Sequence, residues 1–332
     1  MPGMPPDPPE RSKFLAASLI SGAMVMGGCT ADGLTFLAPG GPVARSELSH
    51  FTTITAVSLI AIVPVFLLLP VLLWRYRLRG GHGAYRPKWD YSRPLELAMW
   101  GVPVAIVCVL GWHLMRNAFE LDPYRRIDPG TPPLRIEAVA LNWKWLFLYP
   151  DHGIATVDRL AVPVGVPVEF RLTSDTVMQS FMVSALAGQI YVMPGMETYQ
   201  YLLADTAGDY VGRNTQYNGP DFAGQSFVLS AVDETAFGAF IEEARTSELA
   251  LDAATYARLA LPSDGADAAQ ALGLGEGQAI LFKSIPDEFF TSLVQRYMNG
   301  AAMQDWAQPG APGFRLPQDP IPEVPNAGAS AP

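Results

Sequence analysis

The sequence predicts a membrane protein of mixed α + β class: a two-helix transmembrane hairpin, then a β-sandwich or β-barrel domain, then a group of helices. Two long apolar stretches lie within the first 120 of 332 residues. From about residue 132, short runs of alternating apolar and polar residues are separated by turns that contain Gly or Pro, as expected for half-buried strands. After Val232, apolar residues recur at spacings of three and four, which indicates amphipathic helices.

The N-terminal segment has the pattern of an export signal. Arg11 and Lys13 precede a short apolar run, residues 14–26, which is too short to span a bilayer. The run ends in Met-Gly-Gly before Cys29, which resembles a bacterial lipoprotein cleavage box. We therefore predict that residues 1–28 are a lipoprotein signal peptide, that lipid is attached to the Cys29 thiol, and that residues 29–48 form an exported segment. The alternative is an incidental cysteine after an ordinary signal.

The transmembrane hairpin is predicted over residues 49–119, with spans at about 50–74 and 95–115 and a connecting loop at 75–94. Each span is long enough to cross ~30 Å of hydrocarbon at ~1.5 Å per residue. The loop and its ends carry six cations against the single anion Asp90, namely Arg75, Arg77, Arg79, Arg86, Lys88 and Arg93. Because short basic loops face the cytoplasm, both the N-terminus and the domain after the second span are predicted to lie outside.

The β domain is predicted over residues 132–233, with strands at 134–140, 143–149, 168–173, 177–183, 198–203 and 226–232. Alternation places Trp143 and Trp145 on one face of the second strand. Helices follow over residues 234–302. Thr235 is predicted to cap the first, residues 251–261 form a second, and Pro286 begins a third. The Pro-, Ala- and Gly-rich segment 303–332 is predicted to be a disordered tail.

Charge and composition exclude some functions. The net charge is −10, and the part of the chain from Leu134 onward holds 23 acidic and 10 basic residues, a net charge of −13. This balance disfavours nucleic-acid binding. An acidic outer domain either steers a basic partner such as cytochrome c or simply keeps the surface solvated. The four histidines show no metal-ligand spacing, and the two cysteines do not form a disulfide framework.

A polar, glycine-rich loop, residues 212–225, carries the most specific pattern in the chain. Its spacing resembles the copper-ligand loop Cys-x-Glu-x-Cys-x3-His-x2-Met of cytochrome c oxidase subunit II, with a further histidine upstream. The residues at those positions are Gln179, Asn214, Gln216, Asn218, Phe222 and Gln225. Thiolate, imidazole and thioether groups hold copper in electron-transfer sites, and amides or a phenyl ring cannot replace them. The chain therefore resembles the copper-free branch of this family, subunit II of cytochrome bo-type ubiquinol oxidases.

This resemblance implies a cupredoxin-like Greek-key β-barrel, with no cofactor in this chain and no catalysis by the chain alone. The haems, the copper and the ubiquinol site are expected in subunit I, and smaller membrane subunits III and IV are expected partners. The implied location is the bacterial inner membrane, with the β domain in the periplasm. The resemblance also assigns Glu96 to a proton entrance, whereas the residues alone favour a carboxylate at a helix N-terminus. Trp143 and Trp145 are either subunit-interface residues or core aromatics.

Two other functions remain open at the level of sequence. The first is a cytochrome c oxidase subunit II with a two-copper centre, against which the missing ligands count. The second is a membrane lipoprotein that acts only as a structural or binding module. The apolar stripe of the last helices either covers the β domain or lies against other subunits.

Overall fold

The computed structural model of the protein describes residues 35–77, 88–127 and 130–298. The predicted signal peptide, Cys29, residues 78–87 of the basic loop and the tail 303–332 lie outside the described residues. The predicted fold class is confirmed, since a pair of long apolar helices precedes a β domain of two sheets and a C-terminal group of short helices.

Two helices form the hairpin, and both are longer than the predicted spans. Helix α1 runs over Pro42–Arg75 and helix α2 over Arg93–Glu120. Nearly all their side chains are uncovered by the rest of the chain, and Ala44 is the one buried residue of the two helices. An apolar surface of this size is stable only in lipid or against other proteins. The imidazole rings of His50 and His113 stack between the helices, with centroids 4.7 Å apart.

Eleven strands in the described part of the chain form two sheets. The first sheet contains β1 (Leu134–Ala140), β2 (Trp145–Tyr149), β3 (Ile154–Val157), β5 (Pro167–Ser174), β8 (Thr198–Leu203) and β11 (Leu281–Phe282), in the order β11-β3-β2-β1-β5-β8. The second contains β4 (Arg159–Pro163), β6 (Gln179–Val183), β7 (Ala187–Val192), β9 (Gly208–Arg213) and β10 (Ser226–Val232), in the order β4-β10-β9-β6-β7. The β1–β5 and β4–β10 pairs are parallel, and the other pairs are antiparallel.

The space between the sheets is filled by aromatic side chains. Trp145 and Phe147 of the first sheet meet Phe181 and Phe227 of the second, with ring centroids 5.1 to 5.7 Å apart. Edge-to-face and offset contacts at these distances stabilise a core beyond simple burial of apolar area. These contacts hold β6 through Phe181 and β10 through Phe227, and both strands support the loop described below.

The C-terminal helices are α3 (Glu234–Arg245), α4 (Ala253–Leu259), α5 (Gly265–Ala271) and α6 (Phe289–Met298). Helices α4 to α6 cover the outer face of the first sheet, whereas the buried apolar side chains of α3 join the inner core. Leu146 and Leu148 of β2 point away from the aromatic core and pack in a second apolar cluster with Tyr256 and Phe290. The apolar stripe of the helices is therefore used within this chain, and β2 is buried on both faces.

Two details of the helices differ from the predictions. Asp233, and not Thr235, caps α3, because its carboxylate accepts a hydrogen bond from the Ala236 N–H at 2.8 Å. The last helix begins at Phe289 rather than at Pro286. Helix α5 was not predicted, since its small alanine-rich sequence has little apolar periodicity.

The start of α1 is attached directly to the β domain. The Gly40 N–H donates to the Ala185 carbonyl at 2.8 Å, and the Gly40 carbonyl accepts from the Asp205 N–H at 3.0 Å. A β-carbon on Gly41 would lie 2.1 Å from the Leu203 carbonyl oxygen, so only glycine permits this approach. The first membrane helix thus has a fixed attachment to the sheet edge.

Candidate functional site: a buried amide cluster

Four of the six positions that match the copper ligands come together in the structure. Gln179 begins β6, Asn214 follows β9, Asn218 lies in the loop and Gln225 precedes β10. All four side chains are buried. We refer to these four residues as the amide cluster.

Gln225 is the centre of the amide cluster. Its side-chain oxygen accepts hydrogen bonds from Asn214 Nδ2 at 2.9 Å and from Asn218 Nδ2 at 2.7 Å. Its Nε2 donates to the side-chain oxygen of Gln179 at 2.7 Å. One side chain therefore satisfies three others in a region where water has little access.

Backbone groups hold the amide cluster to the surrounding strands. Gln179 Nε2 donates to the Leu141 carbonyl at 3.0 Å and to the Thr176 hydroxyl at 2.9 Å. The Asn214 side-chain oxygen accepts from the N–H groups of Ser180 and Gln216, both at 3.0 Å. Buried amides are stable in proteins when such partners are present, and this network links β6 to the loop after β9.

The chemistry of the amide cluster does not suit copper. Its members offer neutral amide oxygens and N–H donors, whereas copper electron-transfer sites require thiolate, imidazole or thioether ligands. Most of the donors and acceptors are also used by one another or by neighbouring groups, and Asn218 Oδ1 is the one atom of the four side chains that is buried without a hydrogen-bond partner. Over residues 35–77, 88–127 and 130–298, no group of three or more His, Cys, Asp or Glu side chains could hold a metal ion.

The other two matching positions lie outside the amide cluster. Gln216 is half-buried, and its side chain takes no part in the hydrogen bonds of the four amides. Phe222 is half-buried and packs against the Tyr217 ring, with centroids 5.8 Å apart. The spacing of the sequence motif alone could not show which of the six side chains point inward.

The two tryptophans occupy different environments, and the prediction that they share a strand face is wrong. Trp145 begins β2 and is fully buried in the aromatic core. Trp143 lies in the turn before the strand, with a positive φ of 66°. The Leu141 N–H donates to the Lys144 carbonyl at 3.0 Å, which closes this tight turn and ends the alternation. Trp143 is nevertheless 94% buried, since its exposed fraction is 6%.

A buried lysine, which was not predicted from the sequence, joins the β domain to the C-terminal helices. Lys144 is completely buried, and its Nζ donates to the carbonyls of Leu261 and Ser263 at 2.9 and 2.8 Å. It also donates to the Ser263 hydroxyl at 2.9 Å. Burial lowers the pKa of Lys144 to about 8, although nearby carboxylates, Asp158 first among them, oppose the change. The only sequence signal was a lysine between two aromatic residues.

This pKa shift predicts a specific pH dependence of stability. Between pH 8 and 10.5, the unfolded chain keeps the Lys144 proton while the folded chain loses it, so the free energy of unfolding rises with pH. The full rise corresponds to roughly 3 kcal/mol. We expect Lys144→Met to remove this rise, measured as the difference between wild type and variant in urea unfolding at pH 8 and 10.5. Lys283→Met, at an exposed position, serves as the control and should leave the rise unchanged.

A second buried polar group lies beside the amide cluster and was also missed. Asp175 follows β5, forms an ion pair with Arg296 of α6 and accepts a hydrogen bond from the Tyr256 hydroxyl of α4 at 2.5 Å. Burial raises the pKa of Tyr256 well above its ordinary value, so the hydroxyl keeps its proton and remains a donor. Asp175 thus connects the β domain with two of the covering helices.

Glu96 lies far from the amide cluster, in the first turn of α2. Its side chain is exposed, and its backbone N–H donates to the Ser92 carbonyl at 2.9 Å. A carboxylate in a first turn is favoured by the helix dipole. The predicted role in proton entry needs a partner subunit and therefore remains a prediction.

Comparison with known proteins identifies the family. No family model matches the chain. Ubiquinol oxidase subunit 2 of Acetobacter aceti is 37% identical over 286 residues, which cover 86% of this chain and 88% of that protein. The chain belongs to the ubiquinol oxidase subunit 2 family. Cytochrome bo(3) ubiquinol oxidase subunit 2 of Pseudomonas putida is 38% identical over 243 residues, covering 73% of this chain and 76% of that protein.

Membership in the ubiquinol oxidase subunit 2 family confirms the resemblance stated from the sequence. A solved structure, the periplasmic domain of cytochrome oxidase subunit II from Bradyrhizobium japonicum, covers 34% of this chain and 94% of that chain, with 22% identity and a TM-score of 0.33. The amide cluster occupies four of the positions that match the copper ligands. Its hydrogen bonds hold the loop together with others, such as the Thr215 N–H to the Ser180 hydroxyl at 2.7 Å.

Proposed function

We propose that the chain is the copper-free subunit 2 of a membrane-bound ubiquinol oxidase complex, which oxidises quinol and reduces dioxygen to water with proton translocation. The observation that carries the proposal is the amide cluster, whose donors and acceptors bond to one another where the related subunits of cytochrome c oxidases are expected to bind copper. The curated relatives carry the names of ubiquinol oxidase subunits, which supports the same function.

The proposed division of labour follows from the electron donor. Ubiquinol is soluble in lipid, so it delivers electrons within the bilayer and needs no copper relay in an outer domain. The haems, the copper and the quinol site are then assigned to subunit I, and this chain covers its outer face and supports assembly with subunits III and IV. The two apolar helices, nearly free of intrachain cover, are the surface available for those contacts.

For the location, we propose the bacterial inner membrane with the β domain in the periplasm and Cys29 as the lipidated N-terminus. The basic loop between the helices supports this orientation. The mass of the mature chain tests the processing. It should correspond to a chain that begins at a lipid-modified Cys29, and a mature chain that retains residues 1–28 would rule the lipoprotein assignment out.

Glu96 is proposed to lie at the entrance of a proton pathway into subunit I. We expect Glu96→Ala to slow oxygen consumption and proton uptake by at least roughly tenfold, since a positioned proton-transfer group contributes about 10²- to 10⁴-fold, while the complex still assembles. The measurement is oxygen consumption by the complex in proteoliposomes. Asp90→Ala, which removes an exposed carboxylate in the same basic region, should retain normal turnover. Equal rates for Glu96→Ala and wild type would leave only the helix-terminus role.

Purification of the complex through a tag on this chain tests the proposed function against its two alternatives. The ubiquinol oxidase predicts co-purification of a haem-bearing membrane subunit and no copper in this chain after the subunits are separated. Two copper ions bound to the separated chain would instead indicate a cytochrome c oxidase subunit. Isolation of the chain without any haem protein would favour a lipoprotein with a purely structural role.

A further inference from the structure

We propose that the cleft between the membrane helices and the β domain binds the head group of a phospholipid with a primary ammonium, such as phosphatidylethanolamine. The cleft has a volume of about 520 Å³. It is formed where α1 begins, where α2 ends and continues into residues 121–127, and where β7 and β8 pass beside both helices. All three walls belong to this chain, so the site exists before any other subunit binds.

The length of α2 places this cleft at the level of lipid head groups. Between Glu96 and Arg116 the helix carries no Asp, Glu, Lys or Arg, and these residues span roughly 28 Å at ~1.5 Å per residue. That length matches the hydrocarbon core of a bilayer, which is ~30 Å thick. Glu120, which lines the cleft, lies one helical turn beyond Arg116. The cleft therefore begins where the apolar part of the membrane ends.

The inner part of the cleft offers hydrogen-bond acceptors. The Glu47 carboxylate accepts from the Gly188 N–H, and its Oε1 lies 2.6 Å from where a β-carbon on Gly188 would be. Gln200 also lines the cleft and is only 2% exposed. Its Nε2 donates to the Gly188 carbonyl at 2.7 Å, while its buried Oε1 has no hydrogen-bond partner. Buried polar atoms are rarely left without a partner, so an N–H donor from an occupant is expected here.

The outer part of the cleft offers cations. Arg125 and Arg126 line it and are exposed to solvent. The Arg126 guanidinium is hydrogen-bonded to the Tyr201 hydroxyl, which also donates to the Glu169 carboxylate at 2.9 Å. Arginine is well suited to phosphate, because its planar N–H groups match two phosphate oxygens at once.

The arrangement of acceptors in the inner part of the cleft and arginines in the outer part matches one class of ligand. A phosphate at the arginines and an ammonium at Glu47 and Gln200 reproduce the two charges of a zwitterionic head group. A quaternary ammonium has no N–H to donate, so choline cannot satisfy the free acceptor, whereas ethanolamine can. The acyl chains would then follow the exposed apolar surface of the helices, where Phe51 and Phe119 are 49% and 74% exposed.

Lipid retention by the full chain in detergent tests this proposal. Native mass spectrometry would compare phosphatidylethanolamine, phosphatidylcholine and phosphatidylglycerol of identical acyl composition. We expect the ethanolamine lipid to be retained about tenfold more strongly than the choline lipid, since one charge-assisted hydrogen bond is at stake. Glu47→Gln should reduce this preference, and Arg126→Gln should reduce retention of both lipids. Glu248→Gln and Arg213→Gln change exposed residues away from the cleft and should match wild type.

Three outcomes would overturn the proposal. Equal retention of the three lipids by wild type would show that the cleft does not select a head group. Phosphoethanolamine bound as tightly as the lipid would identify a soluble phosphate ester as the ligand. Crosslinking of the whole population of the Gln189→Cys variant to a neighbouring subunit in the assembled complex would show that protein fills the cleft. None of these readouts uses oxidase activity, so they are independent of the proposed electron donor.

Discussion

Replacing Gln225 with leucine is expected to lower the free energy of unfolding of the β domain by roughly 3–5 kcal/mol. Leucine has a similar volume but removes every hydrogen bond of the central amide. Asn214, Asn218 and Gln179 each lose a partner and remain buried. Each unsatisfied buried group costs about 1–3 kcal/mol, and partial rearrangement keeps the total below the simple sum.

Urea unfolding of the full chain in detergent, followed by tryptophan fluorescence, measures this effect. Trp145 reports on the core beside the loop. Gln216→Leu is the matched control. Gln216 is another amide at a position that matches a copper ligand, but it is half-buried and outside the amide cluster. Its effect should stay within about 0.5 kcal/mol. Similar losses for Gln216→Leu and Gln225→Leu would show that the loop does not depend on the network.

Arg296→Met is expected to destabilise the contact between the C-terminal helices and the β domain by about 3–5 kcal/mol. The change leaves Asp175 buried without its cation, and an uncompensated buried charge is much more costly than the loss of an exposed pair. Because Arg296 lies in the last described helix, the first consequence should be release of α6 from the sheet. Amide hydrogen exchange in α6 and proteolysis after α5 measure that release.

A second variant separates loss of the charge pair from loss of packing. Asp175→Asn in the Arg296→Met background removes the unpaired charge, and asparagine can still accept the hydrogen bond from Tyr256. We expect the double variant to recover more than half of the lost stability. Arg258→Met, on the exposed side of α4, should have almost no effect. Failure of the double variant to recover any stability would argue that the methylene groups of Arg296, and not its charge, hold the helix.

The sequence was sufficient to predict the fold class and six of the eleven strands of the described residues, because periodicity reports directly on burial; the short strands β3, β4, β7, β9 and β11 were not predicted. Strands β1, β8 and β10 begin and end at the residues expected from alternation. Alternation failed at Trp143, where a residue with positive φ turns the chain before β2. A tight turn between two tryptophans leaves the apolar pattern unchanged, so no counting of apolar residues could reveal it.

The candidate site could be predicted only in part from the sequence. The spacing of the loop residues identified which ligands were absent, but not that four of the replacements bond to one another. The contacts of Lys144 with Ser263 and of Asp175 with Arg296 join residues more than a hundred positions apart. A single sequence carries no signal for such pairs, because each member alone looks like a solvated charge.

The central claim is that electrons reach the complex from quinol within the membrane, and not through copper in this chain. Oxygen consumption by the complex purified through this chain, with ubiquinol and with reduced cytochrome c as alternative donors, tests it most directly. Our account predicts rapid oxygen consumption with ubiquinol and none above background with cytochrome c. Turnover with cytochrome c that does not respond to ubiquinol would contradict it.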